Sequence, residues 1–109
     1  MSDQRSAERI DHKLALKFAG GRSPLTWAMS TNVGPGGLFV VSSTPPRPGT
    51  RLDLELDLPD CIIRIGGRSV WQRVARRRGV AGEPAGFGVR FSDPPPEWTS
   101  FIAGLGAAP

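Results

Sequence analysis

Apolar and polar residues alternate with a period of two over most of the chain. From His12 onward, Leu14, Leu16 and Phe18 fall on one side and Ala15 and Lys17 on the other, the pattern of a half-buried strand. A glycine-rich break at residues 20–24 precedes a second strand over residues 25–31, with Trp27 and Met29 in it. Asn32-Val33-Gly34-Pro35-Gly36-Gly37 reads as another break. Leu38-Phe39-Val40-Val41 is a continuous apolar run suited to a strand buried on both faces. Leu52, Leu54, Leu56 and Leu58 then alternate with Asp53, Glu55 and Asp57. A helix would scatter those leucines around its circumference, whereas a strand puts all of them on one face. Residues 61–75 read as a long strand interrupted by Gly66-Gly67, a pair that suggests a bulge or a barrel corner. Phe87, Val89 and Phe91 alternate with Gly88 and Arg90 in a last strand. The period then changes. Trp98, Phe101, Ile102 and Leu105 are spaced i, i+3, i+4, i+7 after a run of prolines, which predicts a short amphipathic helix ended by Gly106.

Six strands with short connections in 109 residues predict an all-β fold: a six-stranded antiparallel β-barrel with a short C-terminal α-helix. Closure removes exposed sheet edges, and the helix is expected to plug one mouth or cover an edge. The length suits one domain. Residues 1–11 are polar and aperiodic and read as a mobile N-terminal arm, which leaves 12–109 for the barrel and helix.

Composition narrows the function. No apolar run approaches the roughly 18–20 residues of a membrane span, so no membrane span is expected. No apolar segment follows the N-terminus, so no secretory signal is expected. Cys61 is the single cysteine and His12 the single histidine, which excludes an internal disulfide, a cysteine zinc cluster and a multi-histidine metal site. A reducing, cytoplasmic location follows as the expectation. No serine sits in a Gly-x-Ser-x-Gly elbow, and no other catalytic constellation stands out. A binding module without catalysis or cofactor is expected. Asp53, Glu55 and Asp57 read as the solvated face opposite the leucines and not as a metal site.

The charge changes the picture further. Lys+Arg is 14 against 10 for Asp+Glu, a net +4, and only Lys13 and Lys17 are lysines. Arginine carries a flat fork that grips phosphates and guanine edges, so an anionic partner is expected. Arg64, Arg68, Arg73, Arg76, Arg77 and Arg78 lie in one stretch without an acid, which reads as a phosphate-binding surface or a solvated face. Nucleic acid is not the expected partner. The chain has no tyrosine, and most of its tryptophans and phenylalanines occupy core-like positions, which leaves few stacking platforms.

Two motifs are informative as a pair. Arg5-Ser6-Ala7-Glu8-Arg9 places two arginines four apart before the first strand, and Asn32-Val33-Gly34-Pro35-Gly36-Gly37 places an amide in a glycine-rich turn. In this order the chain resembles the PilZ domain family, with its Arg-x-x-x-Arg and Asp/Asn-x-Ser-x-x-Gly motifs. The resemblance continues in Gly37-Leu38-Phe39-Val40, Pro48-Gly49-Thr50-Arg51-Leu52, Gly67-Arg68-Ser69-Val70-Trp71 and Gly86-Phe87-Gly88-Val89-Arg90-Phe91. It covers the chain from about Arg5 to Leu105.

The resemblance implies a six-stranded barrel that binds cyclic di-GMP and passes the signal on by contact with a protein effector. It implies Arg5 and Arg9 as the clamp, Asn32 as the reader of a guanine edge, and Gly34 and Gly37 as part of the ligand turn. Charge and placement add Arg68 and Arg73 as candidates for phosphate contacts. Where the motif has serine this chain has Gly34, which removes one hydroxyl. A net hydrogen bond of about 0.5–1.5 kcal/mol corresponds to a roughly two- to tenfold loss of affinity. The alternatives are a PilZ-like adaptor that contacts only proteins and a small barrel that binds nucleic acid through residues 64–78.

Overall fold

The computed structural model describes residues 9–21, 23–74 and 84–106. In chain order the strands are β1 (Ile10–Gly20), β2 (Thr26–Gly34), β3 (Gly37–Val41), β4 (Arg51–Asp57), β5 (Ile62–Arg73) and β6 (Gly86–Ser92), followed by one helix, α1 (Pro96–Gly106). They close into a barrel in the order β1-β2-β3-β6-β5-β4, with every neighbouring pair antiparallel. The predicted all-β barrel with a C-terminal helix is therefore the observed fold. Two three-stranded meanders meet along β3–β6 and β1–β4.

The alternating leucines build the core. Leu52, Leu54 and Leu56 of β4 are buried together with Leu14 and Leu16 of β1, Ile63 and Ile65 of β5, and Phe87, Val89 and Phe91 of β6. Fully burying each such side chain stabilises the fold by about 1.5–3 kcal/mol. β3 is buried on both faces as its apolar run predicts: Leu38 and Val40 point into the core cluster, while Phe39 is buried outside it.

Several boundaries differ from the sequence pattern. β1 begins at Ile10, two residues before His12, because Ile10 pairs with Val33 and packs against the core. β2 runs on through Asn32 and Val33 to Gly34, so only Pro35 and Gly36 form the turn into β3. The register of β5 passes evenly through Gly66 and Gly67; its irregularity lies between Ser69 and Trp71. Gly67 is glycine for space, since a Cβ there would stand 2.7 Å from the Arg90 carbonyl oxygen. The tryptophans also depart from expectation: Trp98 is in the core, but Trp27 is 63% exposed and Trp71 39%.

Each mouth of the barrel is closed differently. At one end lie the β2–β3 turn, the start of β1 and the β4–β5 turn, and α1 follows β6 there. Trp98 and Ile102 of α1 are buried against the core at this end. Residues 42–50 link β3 to β4 across the other end. This link is pinned by Gln72, whose Nε2 donates to the carbonyls of Pro45 and Pro46 at 3.2 Å each.

Candidate functional site

The site starts from two faults in strand register. Between β2 and β3, Ser30 pairs with Val40 but Asn32 pairs with Phe39, so Thr31 is an extra residue in β2. Opposite it, β1 carries an extra residue between Asp11 and Leu14. In an unbroken strand Ser30 and Asn32 would face the same side. The bulge resets the alternation, so Ser30 and Val33 are fully buried while Asn32 is turned to the outer face. The buried Ser30 hydroxyl is satisfied locally: it donates to the Asn32 carbonyl at 2.9 Å.

Arg9 stands just before β1, beside this end of β2. Its Nη1 donates to Asn32 Oδ1 at 2.9 Å. The contact orients the Asn32 amide, whose NH₂ group retains two donor positions. Partial loss of water around the guanidinium lowers the Arg9 pKa from its ordinary value. Arginine lies so far above neutrality that it stays charged.

The glycines of the turn serve the fold directly. Gly34 pairs with Gly37, and the Gly34 carbonyl accepts a hydrogen bond from the Trp98 indole Nε1 at 3.1 Å. A Cβ at Gly37 would collide with the Val89 carbonyl of β6, so this position is glycine to let two strands pack. The backbone N–H of Phe91 donates to the Gly36 carbonyl at 2.8 Å. The turn is thus held by both β6 and α1.

The outer row continues from Asn32 to Phe39, Gly88 and Trp71 on the next three strands. A third irregularity, between Ser69 and Trp71, turns Trp71 outward. Its ring stacks on Phe39 at 5.3 Å with 20° between planes. Gly88 lies beneath it, where a Cβ would strike the indole. The Arg73 guanidinium caps the stack, 5.2 Å from the Phe39 ring and 5.4 Å from that of Trp71, and its Nη1 donates to the Pro84 carbonyl at 3.2 Å.

Of the residues singled out from sequence, Arg9 and Asn32 are in contact, with Gly34 and Gly37 closing the hairpin beside them. Arg73 joins the same row through Phe39. Arg68 lies apart on β5 and donates Nη1 to the Gly49 carbonyl at 3.2 Å. Arg5, Arg76, Arg77 and Arg78 lie outside the described residues. The Phe39–Trp71 stack is not predicted by the alternation of β3 and β5, although Gly86 and Gly88 at outward positions of β6 signal that something large lies over that strand.

Comparison with known proteins identifies the family and the fold. The family profile described as PilZ domain matches residues 3–100. The fold is similar to the PilZ domain of CeSA from a cellulose-synthesizing bacterium, with a TM-score of 0.61 and 18% identity over 90% of this chain and 94% of that one. It is also similar to the Bacillus subtilis inhibitor of motility, MotI/DgrA, with a TM-score of 0.64 and 18% identity over 89% of this chain. This chain spans about half, 47%, of that protein. No curated protein matches the sequence.

Proposed function

The chain belongs to the PilZ domain family, a family of cyclic di-GMP receptors and adaptors, and from that premise we propose that it is a cyclic di-GMP receptor acting by protein contact. The observation that carries the reading is the 2.9 Å contact between Arg9 and Asn32 at the motif positions. The proposed ligand has two phosphates and two guanines. Guanine O6 and N7 accept hydrogen bonds, which suits an arginine fork and the free N–H donors of the Asn32 amide. Arg5 completes the clamp in this reading, and Arg73, which sits over Phe39 next to Asn32 in the outer row, adds a phosphate contact. A cytoplasmic location belongs to the same proposal and rests on the single cysteine, Cys61. No helix among the described residues is long and apolar enough to cross a membrane.

A second reading, an adaptor that contacts proteins without a ligand, is favoured by the exposed apolar side chains of Trp27 and Met29 on β2. Calorimetry separates the two. The receptor reading expects saturable cyclic di-GMP binding by the wild type and a loss of roughly tenfold or more in Arg9→Ala, the scale of a charge-assisted hydrogen bond of about 1.5–3 kcal/mol. No binding by the wild type at high micromolar ligand would leave the adaptor reading.

A further inference from the structure

The outer face of β4, β5 and β6 carries a rung of arginines. Arg51 is paired with Arg68, and Arg68 with Arg90, so three arginines stand side by side on three adjacent strands. All three are exposed. Directly opposed residues in an antiparallel pair have Cβ atoms about 4.5–5.5 Å apart, and like charges placed there are destabilising. No carboxylate relieves the rung among the described residues. The ion pair present there, Arg64 with Glu55 at 4.0 Å, lies further along the same two strands. Asp53, two residues beyond Arg51, is not within ion-pair distance of any of the three.

The rung is also partly fixed. Arg47, Pro48, Gly49 and Thr50 form a turn in which the Thr50 N–H donates to the Arg47 carbonyl at 3.2 Å. Gly49 sits at φ 93°, which favours glycine. This turn presents the Gly49 carbonyl to Arg68 and anchors the middle guanidinium at 3.2 Å. Beyond Arg90 the next position in the row is Gly37, so no side chain covers that end.

An arrangement that is repulsive when bare and anchored at its centre suits an anion rich in acceptor oxygens. One guanidinium fork already satisfies both oxygens of a carboxylate, whereas a phosphate group offers further oxygens to neighbouring forks. We propose that Arg51, Arg68 and Arg90 form a second anion site that takes phosphate-bearing ligands, either a free nucleotide or a phosphodiester backbone. The site lies on β4, β5 and β6, does not include Arg9 or Asn32, and does not rest on their reading as a cyclic di-GMP clamp.

The test is calorimetry at low ionic strength with pyrophosphate as the probe. The wild type should bind it saturably, an Arg68→Gln/Arg90→Gln double variant should bind at least tenfold more weakly, and Arg64→Gln, which removes an exposed charge outside the rung, should bind as the wild type does. Melting curves supply an independent readout. Without anion, Arg68→Gln should melt higher than the wild type because repulsion is relieved, and it should lose most of the rise that pyrophosphate gives the wild type. Parallel titrations with GTP and with an eight-residue oligothymidylate identify the source: rung-dependent binding of the first assigns a nucleotide, of the second a backbone. The proposal is overturned if the wild type binds none of the three probes, or if the double variant binds them equally well. Preferential binding of a hexaglutamate peptide over pyrophosphate would also overturn it, in favour of an acidic protein surface.

Discussion

β1 is flanked by two strands that treat the period of two differently. β4 keeps it throughout: Leu52, Leu54 and Leu56 point inward, Arg51, Asp53 and Asp57 outward, and its register with both neighbours never shifts. β2 keeps it only to Ser30, where the register slips against both β1 and β3. The regular strand commits one whole face to the core. The irregular one spends a residue, Thr31, on turning Asn32 outward within reach of Arg9. The same device recurs at Trp71 in β5. Regularity builds this barrel, and at Asn32 and Trp71 an interruption of it decides which side chain reaches the outer wall.

That contrast can be broken at either strand. The largest effect belongs to β4. Leu54→Ala should cost about 2–5 kcal/mol of stability in denaturant unfolding, through lost burial and the cavity left behind, with ligand affinity of the remaining folded protein unchanged. An intermediate effect belongs to the link between hairpin and helix. Trp98→Phe keeps most of the buried ring but removes the hydrogen bond to Gly34, and should cost about 1–3 kcal/mol because the Gly34 carbonyl is left buried without its donor. The smallest effect on stability belongs to the site. Asn32→Ala should shift unfolding by under about 0.5 kcal/mol, since Asn32 is on the outer face, yet weaken cyclic di-GMP binding roughly two- to tenfold. Equal losses of stability in Leu54→Ala and Asn32→Ala would erase the distinction between the strands.

What could be read in the sequence follows the same division. The core face of β4, the apolar run of β3 and the spacing of α1 depend on short-range periodicity and are visible without the fold. The positions of Arg9 and Asn32 were visible as a paired motif, but their contact was not, because it needs the pairing of β1 with β2 across 23 residues. The bulges were invisible or misplaced. Gly66-Gly67 predicts the fault in β5 at the glycines, whereas the bulge needs no glycine and falls between Ser69 and Trp71. The outward turn of Trp71 is therefore not legible from the alternation alone. The arginine rung was hidden for a related reason: Arg51, Arg68 and Arg90 are far apart in the chain, and only the register of β4, β5 and β6 aligns them.

The most direct test of the central claim is a ¹H–¹⁵N NMR titration of the full chain with cyclic di-GMP. The account predicts that shifts concentrate at the Asn32 side-chain amide, the backbone of Gly34 and Gly36, and the Trp98 indole N–H that bonds to Gly34, while Leu54 and Leu56 of β4 stay in place. An unchanged spectrum at saturating ligand, or shifts that spare Asn32 and Gly34, would contradict it.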